Sequence, residues 1–196
     1  VQPTTKAQYV AKSVALPPKL FSHNDQQSFW QASNPEGAST GWGGRMGDLF
    51  QSGNGTSTLT CINASGNAIF LSGRQAIAYA VGSGGPTALS ARTSLFGSTS
   101  ASSALASVMT ATSASTFANE HAKISKRSLD TYAQVSSSFA GAPALATAFP
   151  NTGLGNQLKT VANMISVSRE LGARRQVFFV STGGFDLHDS LTAQHP

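Results

Sequence analysis

Apolar positions along this chain fall into two periods. Residues 154–171 carry Leu158, Val161, Ile165 and Leu171 on one face of a 3.6-residue helix, and Gly172 follows as a fitting C-terminal cap. Residues 176–181 then centre on the unbroken run Val177-Phe178-Phe179-Val180. Continuous apolar character predicts a strand buried on both faces, as in a parallel sheet. Helix, tight turn and buried strand make half of an α/β unit.

Residues 99–139 contain no Gly or Pro and are rich in Ser, Ala and Thr. Leu105, Val108, Met109 and Thr112 nevertheless keep helical spacing, as do Ile124, Leu129, Tyr132, Val135 and Phe139. A single helix here would span about 60 Å. Two helices, or one broken near Asn119, are expected. Nearer the start, Ser22 reads as the N-cap of a helix over 23–31, with Asp25 suiting its positive end. Residues 42–51 predict a second helix, weakened by three glycines. Residues 58–62 and 68–71 predict strands around a turn at 64–67, and 77–81 a third. Pro3, Pro17 and Pro18 predict an extended arm over 1–21.

The pattern points to an α/β fold: a section of a doubly wound, mostly parallel sheet. The length of 196 residues suits one domain. Its parts are the arm (1–21), a helix/strand region (22–98), a helical Ser/Ala/Thr-rich insertion (99–150) and a helix–strand–loop unit (151–196). A central parallel strand at 176–181 needs neighbours on both sides and a covering helix. The missing strands are therefore expected from remaining sections of the same domain, in another fragment or chain. The first residue is Val1, so either a leader has been removed or the sequence is a piece of something longer.

Composition narrows the classes. Charged residues make up only 11%, against 40% hydrophobic, enough to build a core. No run of 18 apolar residues occurs, which excludes a transmembrane helix. The single cysteine, Cys61, excludes an intrachain disulfide and a multi-cysteine zinc site. The net charge of +5 comes from scattered basic residues and a scarcity of acids, which argues against nucleic acid as a partner.

Three segments carry candidate chemistry. Gly183-Gly184-Phe185-Asp186-Leu187-His188-Asp189 follows the buried strand, where open α/β sheets bind ligands. Asp186 and His188 offer an oxygen and a nitrogen to a divalent metal, and Asp189 is a further ligand or orients His188. The plain alternative is a polar turn with Asp186 capping the next helix. Ser22-His23-Asn24-Asp25 sits at a helix start, which favours an anion. A hydroxyl there becomes a nucleophile if a base or metal lowers its pKa; otherwise Ser22 is an N-cap and His23 a first-turn residue. Arg45 can clamp an anionic group or form a surface contact. Trp30 and Trp42 are expected in the core, His121 in solvent, and Cys61 as a buried inert thiol. No Gly-x-Ser-x-Gly elbow, phosphate-binding loop or dinucleotide fingerprint is present.

Leu16-Pro17-Pro18-Lys19-Leu20-Phe21-Ser22-His23-Asn24-Asp25-Gln26-Gln27 through Trp30, then Gly41-Trp42-Gly43-Gly44-Arg45-Met46, then Gly183-Gly184-Phe185-Asp186-Leu187-His188, together resemble the DUF1501 family. These are exported bacterial proteins grouped with the alkaline phosphatase/sulfatase superfamily. The resemblance implies twin-arginine export to the periplasm or outside. It implies an alkaline-phosphatase-like fold, and a divalent metal (zinc, manganese, calcium or magnesium) in the hydrolysis of phosphate or sulfate esters. Ser22 matches the nucleophile position and His23 adjoins it. Asp186 and His188 match part of the metal site, and Arg45 would hold a small anionic ester. Family segments of the Gly-Gly-Asn-Asp and Thr-Asp-His-Gly-Trp types, which would supply further ligands, are not in this sequence. The alternative is an exported binding or scaffold protein that keeps the fold without catalysis.

Overall fold

The structure is a computed structural model, and it describes residues 3–16, 19–34, 37–66, 68–90, 94–185, 187 and 189–194. Seven helices and three strands lie among them. In chain order these are α1 (Lys6–Ala11), α2 (His23–Ala32), α3 (Trp42–Phe50), β1 (Cys61–Asn63), β2 (Ala78–Ala80), α4 (Thr99–Met109), α5 (Thr116–Ala140), α6 (Gly153–Ser166), β3 (Val177–Phe179) and α7 (Leu191–Gln194).

The strands form one small parallel sheet in the order β2–β1–β3, with Ile62 opposite both Tyr79 and Phe178. Side chains alternate between two apolar layers, as the period of two demands. Cys61, Ala78, Val177 and Phe179 point into one layer with Phe50, Phe70, Leu71 and Ala76. Ile62, Tyr79 and Phe178 point into the other, with Val135 of α5, Met164 of α6 and Leu171. The sheet thus carries α3 on one face and α5 and α6 on the other. The fold is mixed α/β with a parallel sheet, as the pattern predicts.

Within the described sheet the middle position falls to β1 rather than to the run at residues 176–181. β1 is buried throughout, whereas Phe178 and Phe179 of β3 stay half-buried. Among the described residues β3 has a neighbour on one side only. The expected strand over 68–71 is also absent: Ile69–Leu71 form a 3₁₀ turn. Its backbone finds partners off the ladder, since Phe70 N–H donates to Gln31 Oε1 and Gly41 N–H donates to the carbonyl of Ser72. Phe70 and Leu71 are buried all the same, so the apolar run reports burial rather than strand. Ser57–Leu59 form another 3₁₀ turn, which delays β1 to Cys61.

The arm is not wholly extended. Thr5 and Gln8 make a reciprocal capping box that starts α1, and Lys12 ends it in the left-handed region at φ 50°. Pro3 lies before this helix rather than within it, while Pro17 and Pro18 lie outside the described residues. The Ser/Ala/Thr-rich stretch forms two helices, broken at residues 110–115 rather than at Asn119. Asn119 still makes the break. From the first turn of α5 its side chain bonds both backbone groups of Ser113 and folds the connection back. α6 ends at Ser166, short of Leu171, where the Ser166 hydroxyl donates to the carbonyl of Asn163. The following turns close at Gly172, φ 68°.

The glycines of α3 serve close packing. A Cβ on Gly43 would strike the Phe70 ring, one on Gly44 the backbone of Ser72, and one on Gly47 the sulfur of Cys61, each closer than 3.0 Å. Their absent side chains let α3 lie flush on β1 and its flanking turn, which larger residues would prevent.

Candidate functional site

α3 and α6 each precede a strand and run back across the sheet. Their carboxyl ends meet its amino edge, and their amino ends meet its carboxyl edge. Trp42, at the start of α3, packs edge-on against Phe70 at 4.3 Å between centroids, and Phe70 stacks at 5.1 Å on Phe179, the last residue of β3. Gln157 of α6 bonds the backbone of Ser181 just beyond β3. At the carboxyl end of β1, buried Asn63 folds the chain into a turn by accepting from Ser65 N–H at 3.0 Å and donating to the Gly66 carbonyl. This is the edge where an open α/β sheet places its ligands.

α2 lies beside that edge. Asn24, Gln27, Ser28 and Gln31 share a cleft with Ala68 and Ile69, which follow the β1 turn. Ser22 caps the helix, as expected, with its Oγ accepting from Asp25 N–H at 3.4 Å. The same hydroxyl donates to Asp25 Oδ2 at 2.5 Å. Asp25 is 5% exposed, and its other oxygen lies 3.3 Å from Lys19 Nζ. The sequence suggested a first-turn acid; it did not reveal that this acid is buried, ion-paired and bonded to the candidate hydroxyl. The only signal was the three-residue spacing from Ser22 to Asp25. His23 is the exposed first residue of α2.

Arg45 is exposed on α3, and its guanidinium donates to the carbonyl of Thr40 at 3.4 Å. No described contact joins it to Ser22. Asp186 and His188 lie outside the described residues. Asp189 is exposed. Among the described residues no group of three His, Cys, Asp or Glu side chains is placed to hold a metal.

Trp30 and Trp42 are not core residues: they are 74% and 45% exposed. The Trp42 indole N–H donates to the Trp30 carbonyl at 3.0 Å, which anchors the edge of its ring. Both line a groove of about 1010 Å³ between α1 and α2, with Tyr9, Phe29, Leu16 and Leu20. His121 is exposed, as expected. Cys61 is fully buried, and burial pushes its thiol up to about 11, helped by the charge of Asp48. Burial also raises the Tyr79 hydroxyl, with Tyr132 adding to the effect.

The chain matches no family model, no curated protein and no solved structure. No described helix is long and apolar enough to cross a membrane.

Proposed function

We propose that this chain is part of an exported, metal-dependent hydrolase of phosphate or sulfate esters, with Ser22 as nucleophile and a DUF1501-type, alkaline-phosphatase-like domain as its frame. The observation that supports this reading is the 2.5 Å bond from Ser22 Oγ to the buried carboxylate of Asp25 at the start of α2. A hydroxyl bonded to a carboxylate has an acceptor for its proton, and a helix amino end favours the anion it attacks. In the reaction Ser22 Oγ forms the bond to phosphorus or sulfur, and its proton passes to Asp25 Oδ2. The ester alkoxide leaves with the bonding pair and is protonated by water. A second displacement by water frees Ser22. Lys19 pairs with the other oxygen of Asp25 and holds the carboxylate in place. His23 and Arg45 belong to this proposal as neighbours of the anion. The divalent ion would rest on Asp186, His188 and Asp189. The described residues alone do not make such a site, and no step is drawn through it.

Assay of the full chain with p-nitrophenyl phosphate and p-nitrophenyl sulfate tests this, with Ser22→Ala as the variant. Loss of a nucleophile lowers turnover by about a thousandfold or more. Undiminished turnover in Ser22→Ala would sink the assignment.

A second reading, an exported binding or scaffold protein without catalysis, is favoured by the aromatic groove between α1 and α2. On that reading no ester is turned over by the unmodified chain, and substitutions at Trp30 and Trp42 remove binding of an apolar ligand.

A further inference from the structure

The amino edge of the sheet, opposite the candidate site, holds a second feature. There the Arg174–Arg175 segment enters β3 and is tied to the turn after α3. Asn54 Oδ1 accepts from Arg174 N–H at 2.8 Å and Arg175 N–H at 3.0 Å. Its Nδ2 donates to Thr60 Oγ1 and to the Arg175 carbonyl, both at 2.8 Å. Beside it Gly55 N–H donates to the Gly172 carbonyl at 2.8 Å, and Gly172 takes φ 68°. Asn54 thereby satisfies four groups at once and fixes where the neighbouring side chains start.

Three arginines surround this frame, and they differ. Arg175 lies 5.8 Å from the centroid of the Phe50 ring and is occupied there. Arg169 and Arg174 instead line a cleft of about 460 Å³, together with Ser52 and Asn54. Among the described residues no acid lines that cleft. Neither guanidinium has a hydrogen-bond or ion-pair partner among the described residues. The nearest acid in sequence, Glu170, accepts from the Ser138 hydroxyl at 2.9 Å. Two like charges facing one cleft repel each other unless an anion joins them, and guanidinium forks match tetrahedral oxyanions bidentately.

We propose that the cleft between Arg169 and Arg174 is an oxyanion-binding site for a phosphate or sulfate group, separate from Ser22 and independent of the hydrolase reading. Arg169 and Arg174 supply the charge and Ser52 a hydroxyl, and Asn54 fixes the backbone from which Arg174 reaches the cleft.

Inorganic phosphate and sulfate, titrated separately into the full chain at constant ionic strength made up with chloride, test the site. The readout is the ¹⁵N–¹H signal of each arginine Nε–H. The Arg169 and Arg174 signals should move together and saturate, while that of Arg175 stays in place. Arg169→Gln and Arg174→Gln should each weaken binding about tenfold, the loss of one charge-assisted contact. Arg175→Gln should leave the affinity unchanged. Shifts that chloride reproduces, or an affinity that survives the Arg169→Gln/Arg174→Gln pair, would overturn the proposal. Backbone amide spectra of each variant establish that it is folded. Binding of inorganic phosphate with no effect of Ser22→Ala separates this site from the first.

Discussion

The sulfur of Cys61 occupies the space that a side chain on Gly47 would need. With the close approaches at Gly43 and Gly44, this contact sets how near α3 lies to β1 and its flanking turn. An alanine in a helix is ordinarily worth up to about 1 kcal/mol over glycine. At Gly47 it meets Cys61 Sγ and lies 3.1 Å from Ala76 Cβ. Overpacking costs about 1–3 kcal/mol, so the clash wins. Gly47→Ala should lower stability in urea melts, and adding Cys61→Ala should recover part of the loss. A stabilised Gly47→Ala would show that α3 does not lie flush on β1.

The same contact shields the thiol. With its pKa near 11 and no exposed surface, Cys61 should resist a chromogenic disulfide reagent at pH 7.5 and react fully once the chain is unfolded in guanidinium. Rapid labelling of the native chain would contradict the packing.

Asp48 gives a pH dependence. Burial works to raise its pKa. Against this, Ala76, Gln75 and Arg74 N–H donate to its carboxylate at 2.7, 2.9 and 2.8 Å, and the Arg74 charge assists, so the net shift is downward. A lowered folded pKa means that this stabilisation is fully present above the unfolded carboxylate value. It is lost as pH falls through the folded one. Asp48→Ala should cost about 2 kcal/mol at neutral pH. It should also flatten the loss of stability on acidification, followed by thermal melts between pH 7 and 2. An unchanged acid limb would remove Asp48 from this role.

Ser22→Ala should have two separable effects. Loss of the N-cap costs about 1 kcal/mol of stability, and Ser22→Thr restores it, because threonine caps nearly as well. Turnover, where present, falls far beyond what that loss explains. Asp25→Asn should lower turnover while keeping the helix, since an amide cannot take the hydroxyl proton. Equal activity of Asp25→Asn and the unmodified chain would leave the Ser22–Asp25 bond a cap only.

Among the described residues β3 pairs on one side only, and Phe178 and Phe179 stay half-buried. That open side fits the proposal that further sections of the same domain cover this chain. Light scattering coupled to size exclusion should find the isolated chain self-associated. A stable monomer whose Phe178 amide is protected from hydrogen exchange would count against it.

The candidate site was legible only in part. The cap at Ser22 and the acid at Asp25 follow from local spacing, because an N-cap is decided within one turn. The ion pair to Lys19, Asp25's burial and the outward Trp30 and Trp42 depend on how helices meet, and no local pattern encodes that. Arg169 and Arg174 could not be paired from sequence, since Asn54, which frames their cleft, is more than 110 residues away.

The sequence by itself determined the helices with strong apolar periodicity, the α/β class and the parallel habit of the strands. Each follows from side-chain spacing and backbone preference over a few residues. Tertiary structure alone decided that β1 takes the middle of the described sheet, that the run at residues 68–71 is a buried turn, and that the glycines of α3 are packing sites. Burial rewards an apolar run whether or not its backbone joins a ladder. A missing side chain gains its value only from the surface brought against it.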